Sequence, residues 1–227
     1  MVAKDQRILK TTVLPVDPHT PHPRVLKKVK AALENRGIVA YPTETLYGLG
    51  VDPFRKEALE RLCQLKGRPE GVPTSVLVRD REMMAQLVSS VPPIAETIIE
   101  AFLPGPLTLV LKARQGLPLE LTGGTGRIGI RISSHPLISH IFVYYPSPFT
   151  TTSANPTGLP PAKDARMVLG YFPEGISLLL DGGPVPGGVA STVVDLAGPE
   201  PVILRDGAIS REELSRVLGG SKRTSRH

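Results

Sequence analysis

A chain of 227 residues, 41% hydrophobic and with a formal charge of +6, has room for a sizeable core and is too apolar for a disordered tail. No apolar run reaches the ~18 residues of a membrane span. The N-terminus lacks a signal-peptide core, and the single cysteine, Cys63, excludes an internal disulfide and any C-x-x-C metal site, so a cytoplasmic protein is expected.

Taken in chain order, Ile8–Leu14 reads as an opening strand, followed by a stiff loop through Pro18, Pro21 and Pro23. Arg24–Arg36 places Val25, Leu26, Val29, Ala32 and Leu33 on one helical face and lysines on the other, with Gly37 at the C′ position. A buried strand follows at Ile38–Tyr41, a helix at Lys56–Leu65 and a strand at Ser75–Val78. Helices over Arg81–Val88 and Ile94–Leu103 precede a strand at Leu107–Lys112 and an alternating strand at Arg127–Ile132. Then come a helix at Leu137–Tyr144, a short strand at Pro148–Thr152, a helix at Ala162–Phe172, and strands at Ser177–Leu180, Thr192–Leu196 and Val202–Leu204. Ser210 and Glu213 form a capping box for a last helix over 211–218. The pattern is α/β: one domain over residues 1–218, with a large twisted mixed sheet flanked by helices and a disordered basic tail at 219–227.

The charge is uneven. Residues 1–36 hold eight Lys/Arg against three Asp/Glu and residues 219–227 hold three against none, while the stretch between is slightly acidic. Basic ends attract RNA. They equally fit a solvated face and tail, and an aromatic content of 4% without Trp leaves few stacking platforms. Gly124-Thr-Gly126-Arg-Ile-Gly129 matches G-x-G-x-x-G but leads into a strand rather than a helix, which argues against a dinucleotide site. The P-loop pattern is absent. The five histidines form no ligand spacing, and Cys63 falls on the apolar face of its helix, where it reads as core.

Five segments carry chemistry. Tyr41-Pro-Thr-Glu-Thr-Leu-Tyr-Gly-Leu-Gly50 puts hydroxyls at the end of a buried strand, a place where α/β proteins bind polar ligands. Gln64-Leu-Lys66-Gly-Arg68-Pro69 sets two cations around a glycine at a helix C-terminus; a C-cap explains Gly67, and a phosphate clamp explains the second cation. Phe149-Thr-Thr-Thr-Ser153-Ala-Asn155-Pro-Thr-Gly158 offers hydroxyls and an amide. Gly187-Gly-Val-Ala-Ser191-Thr192 and Ile203-Leu-Arg205-Asp-Gly207 place a hydroxyl pair and a cation at strand ends.

These segments, in this order and together with Pro104-Gly-Pro-Leu-Thr-Leu-Val-Leu111 and Gly129-Ile-Arg131, resemble the YrdC-like threonylcarbamoyl-AMP synthases over about residues 24–218. The resemblance implies the YrdC-like, dsRNA-binding-like fold in a short form without the extra C-terminal domain of larger members. It implies a nucleotidyltransferase that condenses L-threonine, bicarbonate or CO2 and ATP to threonylcarbamoyl-AMP and pyrophosphate. The product serves N6-threonylcarbamoyladenosine synthesis in tRNA, which makes tRNA and the threonylcarbamoyl-transferase complex the implied partners. Lys66 and Arg68 would then hold the phosphates and the carbamate or bicarbonate. Ser153 and Asn155 would donate to the nucleotide and Arg205 would reach it. Arg131 would grip the threonine carboxylate, with Thr45, the Thr151 backbone or hydroxyl and Ser191 completing that pocket. Mg²⁺ would ride on ATP, since no acid cluster forms a cage.

Two positions depart from the family's pattern. Val72-Pro73-Thr74 stands where a lysine or asparagine commonly precedes the proline. Arg127 stands where a smaller polar residue touches ATP, so that it would add a phosphate contact or crowd the site. Other readings of the same residues are a double-stranded RNA or tRNA-binding module and a paralogue that uses another carbamoyl adenylate; a hydrogenase-maturation module would need cysteine pairs that are absent.

Overall fold

The amphipathic segment near the N-terminus shows how the sequence builds its layers. The computed structural model describes residues 10–220, and there α1 (Pro23–Glu34) buries Leu26, Val29 and Leu33 along one stripe. Each such aliphatic side chain contributes about 1.5–3 kcal/mol when removed from water. The His22 side chain caps the helix by accepting the Arg24 N–H at 3.1 Å. The helix stops differently from the expectation: Arg36, not Gly37, adopts the left-handed conformation, with φ 60°. Gly37 is needed for a close approach instead, since a Cβ there would lie 2.7 Å from Ser177 Oγ and 2.8 Å from Ala32 O.

Ten further strands and seven further helices follow β1 (Thr12–Pro15) and α1 among the described residues. In chain order they are β2 (Val39–Pro42), β3 (Tyr47–Gly50), α2 (Lys56–Lys66), β4 (Val76–Leu77), α3 (Arg81–Ala85), α4 (Pro93–Phe102), β5 (Leu107–Lys112), α5 (Leu119–Thr122), β6 (Arg127–Arg131) and α6 (Pro136–Tyr144). The chain continues through β7 (Phe149–Thr150), β8 (Thr152–Ser153), α7 (Ala165–Tyr171), β9 (Leu178–Asp181), β10 (Thr192–Asp195), β11 (Val202–Arg205) and α8 (Arg211–Gly220). The expected α/β alternation holds, and the strands divide between two hydrogen-bonded mixed sheets. One runs β1-β9-β2-β3-β8 and the other β11-β10-β5-β6-β4-β7. Helices α1 and α6 pack on each other, as do α4 and α8, and α2 and α5.

Several local expectations shift. Tyr47–Gly50, not among the expected strands, is strand β3, antiparallel to β2. Its glycines make room for the Tyr41 ring: a Cβ at Gly48 would lie 3.1 Å from Tyr41 Cε2 and one at Gly50 2.8 Å from Cε1. The single strand expected over Pro148–Thr152 is two, β7 and β8, in different sheets. Helix α7 begins three residues later than expected because Asp164 caps it, accepting the Met167 N–H at 2.7 Å. The Ser210–Glu213 capping box forms as expected, and its helix continues to Gly220. Ile8, Leu9 and residues 221–227 of the expected tail lie outside the described residues. No helix among the described residues is long and apolar enough to cross a membrane.

The chain passes from one sheet to the other at Thr151, between β7 and β8. Around that crossing the seam is locked: Thr150 N–H donates to Val51 O at 2.9 Å, Val51 N–H donates to Thr150 Oγ1 at 3.0 Å, and the Tyr41 hydroxyl donates to Thr150 O at 2.8 Å. Tyr41 from one sheet meets Phe149 of the other edge-on, with ring centroids 5.5 Å apart. Two sheets fixed edge to edge in this way leave their loops facing a common furrow.

Candidate active site

Strand and helix ends deliver polar side chains to that furrow. Helix α2 ends at Lys66, and Gly67, in the left-handed conformation with φ 58°, turns the chain so that Arg68 follows on the same side. Strand β6 ends at Arg131, β11 at Arg205, and Ser191 stands immediately before β10. The β2–β3 turn supplies Thr45, and the crossing supplies Thr151 and Ser153, followed by Asn155. All nine residues singled out in the sequence line one cleft of about 450 Å³.

At one end lie Lys66 and Arg68. Lys66 is only 4% exposed. Its ammonium donates to Asn155 O at 2.7 Å and to Ser153 O, which ties the 153–155 loop to α2 and leaves one of its three N–H groups for a ligand. Burial first, and then the Arg68 charge, lower its pKa to about 8. Arg68 donates to Thr152 Oγ1 at 3.1 Å and to Pro73 O, while its buried Nε has no partner. Burial holds its pKa below the ordinary value. Neither cation forms an ion pair with a carboxylate of the described residues. A buried and a half-buried cation side by side without a counter-charge are costly in the free protein and form a natural anion site.

At the other end Arg131, 6% exposed, donates from Nη2 to Thr45 Oγ1 at 2.8 Å and pairs with Glu44 Oε1 at 3.0 Å. Thr45 is itself held by Thr43, hydroxyl to hydroxyl at 2.9 Å. Burial raises the Glu44 pKa, but the Arg131 charge and the Ser133 hydroxyl outweigh it and keep the group below its ordinary value. Arg205 donates from Nε and Nη2 to Ser191 O, at 3.1 and 2.8 Å, and from Nη2 to Ser191 Oγ at 2.9 Å. Burial, then the neighbouring Arg131 charge, lower its pKa. Arg205 therefore stands with Ser191 and Arg131, not with the Lys66–Arg68 pair.

Three details differ from the expected roles. The Asn155 amide spends both protons within the chain, on Pro156 O at 2.9 Å and Leu159 O at 2.7 Å, and offers a ligand its buried, unpartnered Oδ1 as an acceptor. The Thr151 N–H is spent on Ser75 O at 2.7 Å, leaving its carbonyl and hydroxyl. Arg127 is absent from the cleft wall. It pairs with Asp195 at the opposite end of β6 from Arg131, about 13 Å away along an extended strand. Val72 does line the cleft, with an apolar surface where the family commonly has a polar one.

Other lining residues escaped the sequence reading. Thr108 sits 3.0 Å from Ser191, hydroxyl to hydroxyl; a lone threonine in the otherwise buried apolar run Leu107–Leu111 was the available signal. Ser75 also lines the cleft, and Gly129 opposite it is explained by contact, since a Cβ there would collide with the Ser75 side chain. Glu44 was noted between two threonines, but nothing in the local sequence shows that it meets Arg131.

Comparison with known proteins bears on the family and the fold. The Sua5/YciO/YrdC family model, described as "Telomere recombination", matches residues 31–207. Threonylcarbamoyl-AMP synthase of Pyrococcus abyssi is 36% identical over 182 residues, covering 80% of this chain and 54% of the relative. The chain thus spans about half the length of that relative. A putative threonylcarbamoyl-AMP synthase of Mycobacterium tuberculosis is 35% identical over 188 residues, covering 83% of this chain and 86% of the relative. The crystal structure of P. abyssi Sua5 complexed with L-threonine superposes with a TM-score of 0.88 at 32% identity, covering 92% of this chain and 61% of that one. The fold, the ordered motifs and these matches agree that the chain belongs to the Sua5/YciO/YrdC family.

Proposed function

We propose that this protein is a threonylcarbamoyl-AMP synthase. The threonine amine takes up CO2 to give a carbamate, a carbamate oxygen attacks the α-phosphorus of ATP, and the bond to pyrophosphate breaks. The single observation that carries this reading is that one cleft holds an unneutralised cation pair, Lys66 and Arg68, together with a fork, Arg131, backed by hydroxyls. Two anions must meet for the reaction to occur. The protein's task is then to position them and neutralise charge, and a strong base is not required.

In this reading Arg131, Thr45 and Ser191 receive the threonine carboxylate, with the Thr151 hydroxyl beside them. Lys66 and Arg68 hold the phosphates. The Ser153 hydroxyl contacts the nucleotide, and Asn155 Oδ1 accepts from it. Arg205, anchored on Ser191, faces the region where the substrates join. Mg²⁺ enters on the triphosphate as part of the substrate; the described residues offer no cluster of three or more His, Cys, Asp or Glu side chains to hold it. The tRNA nucleoside pathway, tRNA and a threonylcarbamoyl-transferase are the corresponding consumers of the product. The test is incubation with ATP, Mg²⁺, labelled bicarbonate and L-threonine. A labelled adenylate and pyrophosphate are expected, both lost in Arg68→Ala. Label that appears equally without threonine would defeat the substrate assignment.

A further inference from the structure

We propose that Glu44 partitions the cleft, making the Arg131 end a monocarboxylate site and reserving the Lys66–Arg68 end for polyphosphate. This rests on the function proposed above and adds a specificity-determining residue to it. Glu44 is not part of the cleft wall; it stands behind Arg131 in the β2–β3 turn. Its Oε1 pairs with Arg131 Nη2 at 3.0 Å and accepts the Ser134 N–H at 3.3 Å, while Oε2 accepts the Ser133 hydroxyl. The carboxylate is thus fixed from three directions and stays ionised.

Counting charge at each end separates the two anions. Lys66 and Arg68 meet no carboxylate and present two positive charges. Arg131 and Arg205 present two more, but Glu44 cancels one, leaving a single net charge. A lone carboxylate matches one charge, whereas a polyphosphate matches the uncancelled pair. A phosphate chain lodged at the Arg131 end would also face the Glu44 carboxylate a few ångströms behind it, and like charges at that range in a partly buried site repel strongly. Without Glu44 both ends would attract polyphosphate alike, and ATP or pyrophosphate would occupy the threonine position.

The test is calorimetric titration with inorganic pyrophosphate alone, which needs no turnover, on the wild type and on Glu44→Gln and Glu44→Asp. One pyrophosphate per chain is expected for the wild type and for Glu44→Asp, which keeps the charge. A second site, at least tenfold tighter than any second event in the wild type, is expected for Glu44→Gln. In the coupled assay pyrophosphate should become competitive with threonine only in Glu44→Gln. Wild-type stoichiometry in a folded Glu44→Gln overturns the proposal, as does a second site that opens equally in Glu44→Asp. Should Glu44→Gln not fold, Val72→Glu keeps the idea testable. This half-exposed cleft residue would place a carboxylate at the cleft and should weaken pyrophosphate at least tenfold; unchanged binding would overturn assignment by charge count. Because pyrophosphate binding is read without catalysis, failure here is distinguishable from failure to make the adenylate.

Discussion

Replacing Lys66 with methionine separates the cost of a buried cation from its use. The side chain is buried and its pKa falls from 10.5 to about 8, so holding the charge costs the free protein about 3 kcal/mol at ~1.36 kcal/mol per pH unit. Lys66→Met removes that cost but strips Ser153 O and Asn155 O of their donor, at about 1–3 kcal/mol each. The opposing changes nearly cancel, and the unfolding free energy near pH 7 should move by no more than about 3 kcal/mol. Phosphate binding has no such compensation. One charged hydrogen bond of about 1.5–3 kcal/mol is lost, so the pyrophosphate dissociation constant should rise roughly 10- to 150-fold. Denaturant unfolding and calorimetry read the two effects separately. A pH series adds a signed check. Between pH 8 and 10.5 the unfolded chain keeps the Lys66 proton and the folded protein releases it, so wild-type stability should rise with pH across that window. The rise should be absent in Lys66→Met, and pyrophosphate binding above pH 8 should take up protons in the wild type alone. A Lys66→Met protein that binds pyrophosphate like the wild type, or a wild type whose stability does not rise over that window, would refute the reasoning.

Arg131→Lys keeps the charge and loses the planar fork; KM for threonine should rise tenfold or more while that for ATP changes less than threefold, as separate substrate titrations would show. Gly129→Ala drives a Cβ into Ser75 and should cost about 1–3 kcal/mol of stability. Adding Ser75→Ala should recover part of that loss in denaturant unfolding, and a single variant as stable as wild type would contradict the contact. Arg127→Gln removes the partner of Asp195 far from the cleft, so the rate of adenylate formation should stay within twofold of wild type. A tenfold loss of rate would mean that Arg127 reaches the substrates after all.

The fold was legible where a segment's local pattern and its final environment agree. Leu107–Lys112 is found with the expected bounds because its run of leucines and valine is both strand-forming and buried. Arg127–Arg131 is a strand as its alternating isoleucines predict, although every residue after Arg127 is buried, and the Ser210–Glu213 box forms its hydrogen bonds at the start of α8. β3 was illegible because Gly48 and Gly50 lower strand propensity, and it is tertiary packing, the Tyr41 ring against both and Phe149 and Thr150 O against Gly50, that explains their presence. The division of β7 from β8 had no local signal either. It depends on Thr150 bonding to Val51, 99 residues earlier, while Ser153 pairs with Gly48.

The site divides along the same line. That Lys66, Arg68, Arg131, Ser153 and Ser191 line one cleft was legible through the ordered motifs of the family resemblance, not through any one segment. The polarity of each contact could not. Whether Asn155 donates or accepts is decided by where the Pro156–Leu159 turn places two carbonyls, and whether Lys66 is free is decided by a loop 87 residues away in sequence. Arg127 and Arg131 share a strand and a side-chain type, yet one meets Asp195 and the other Glu44 and Thr45. Their different tasks follow from which strand end opens on the seam between the sheets. Identity and order point to the cleft. The pairing of each cation, on which the proposed division between carboxylate and polyphosphate rests, is supplied only by the tertiary structure.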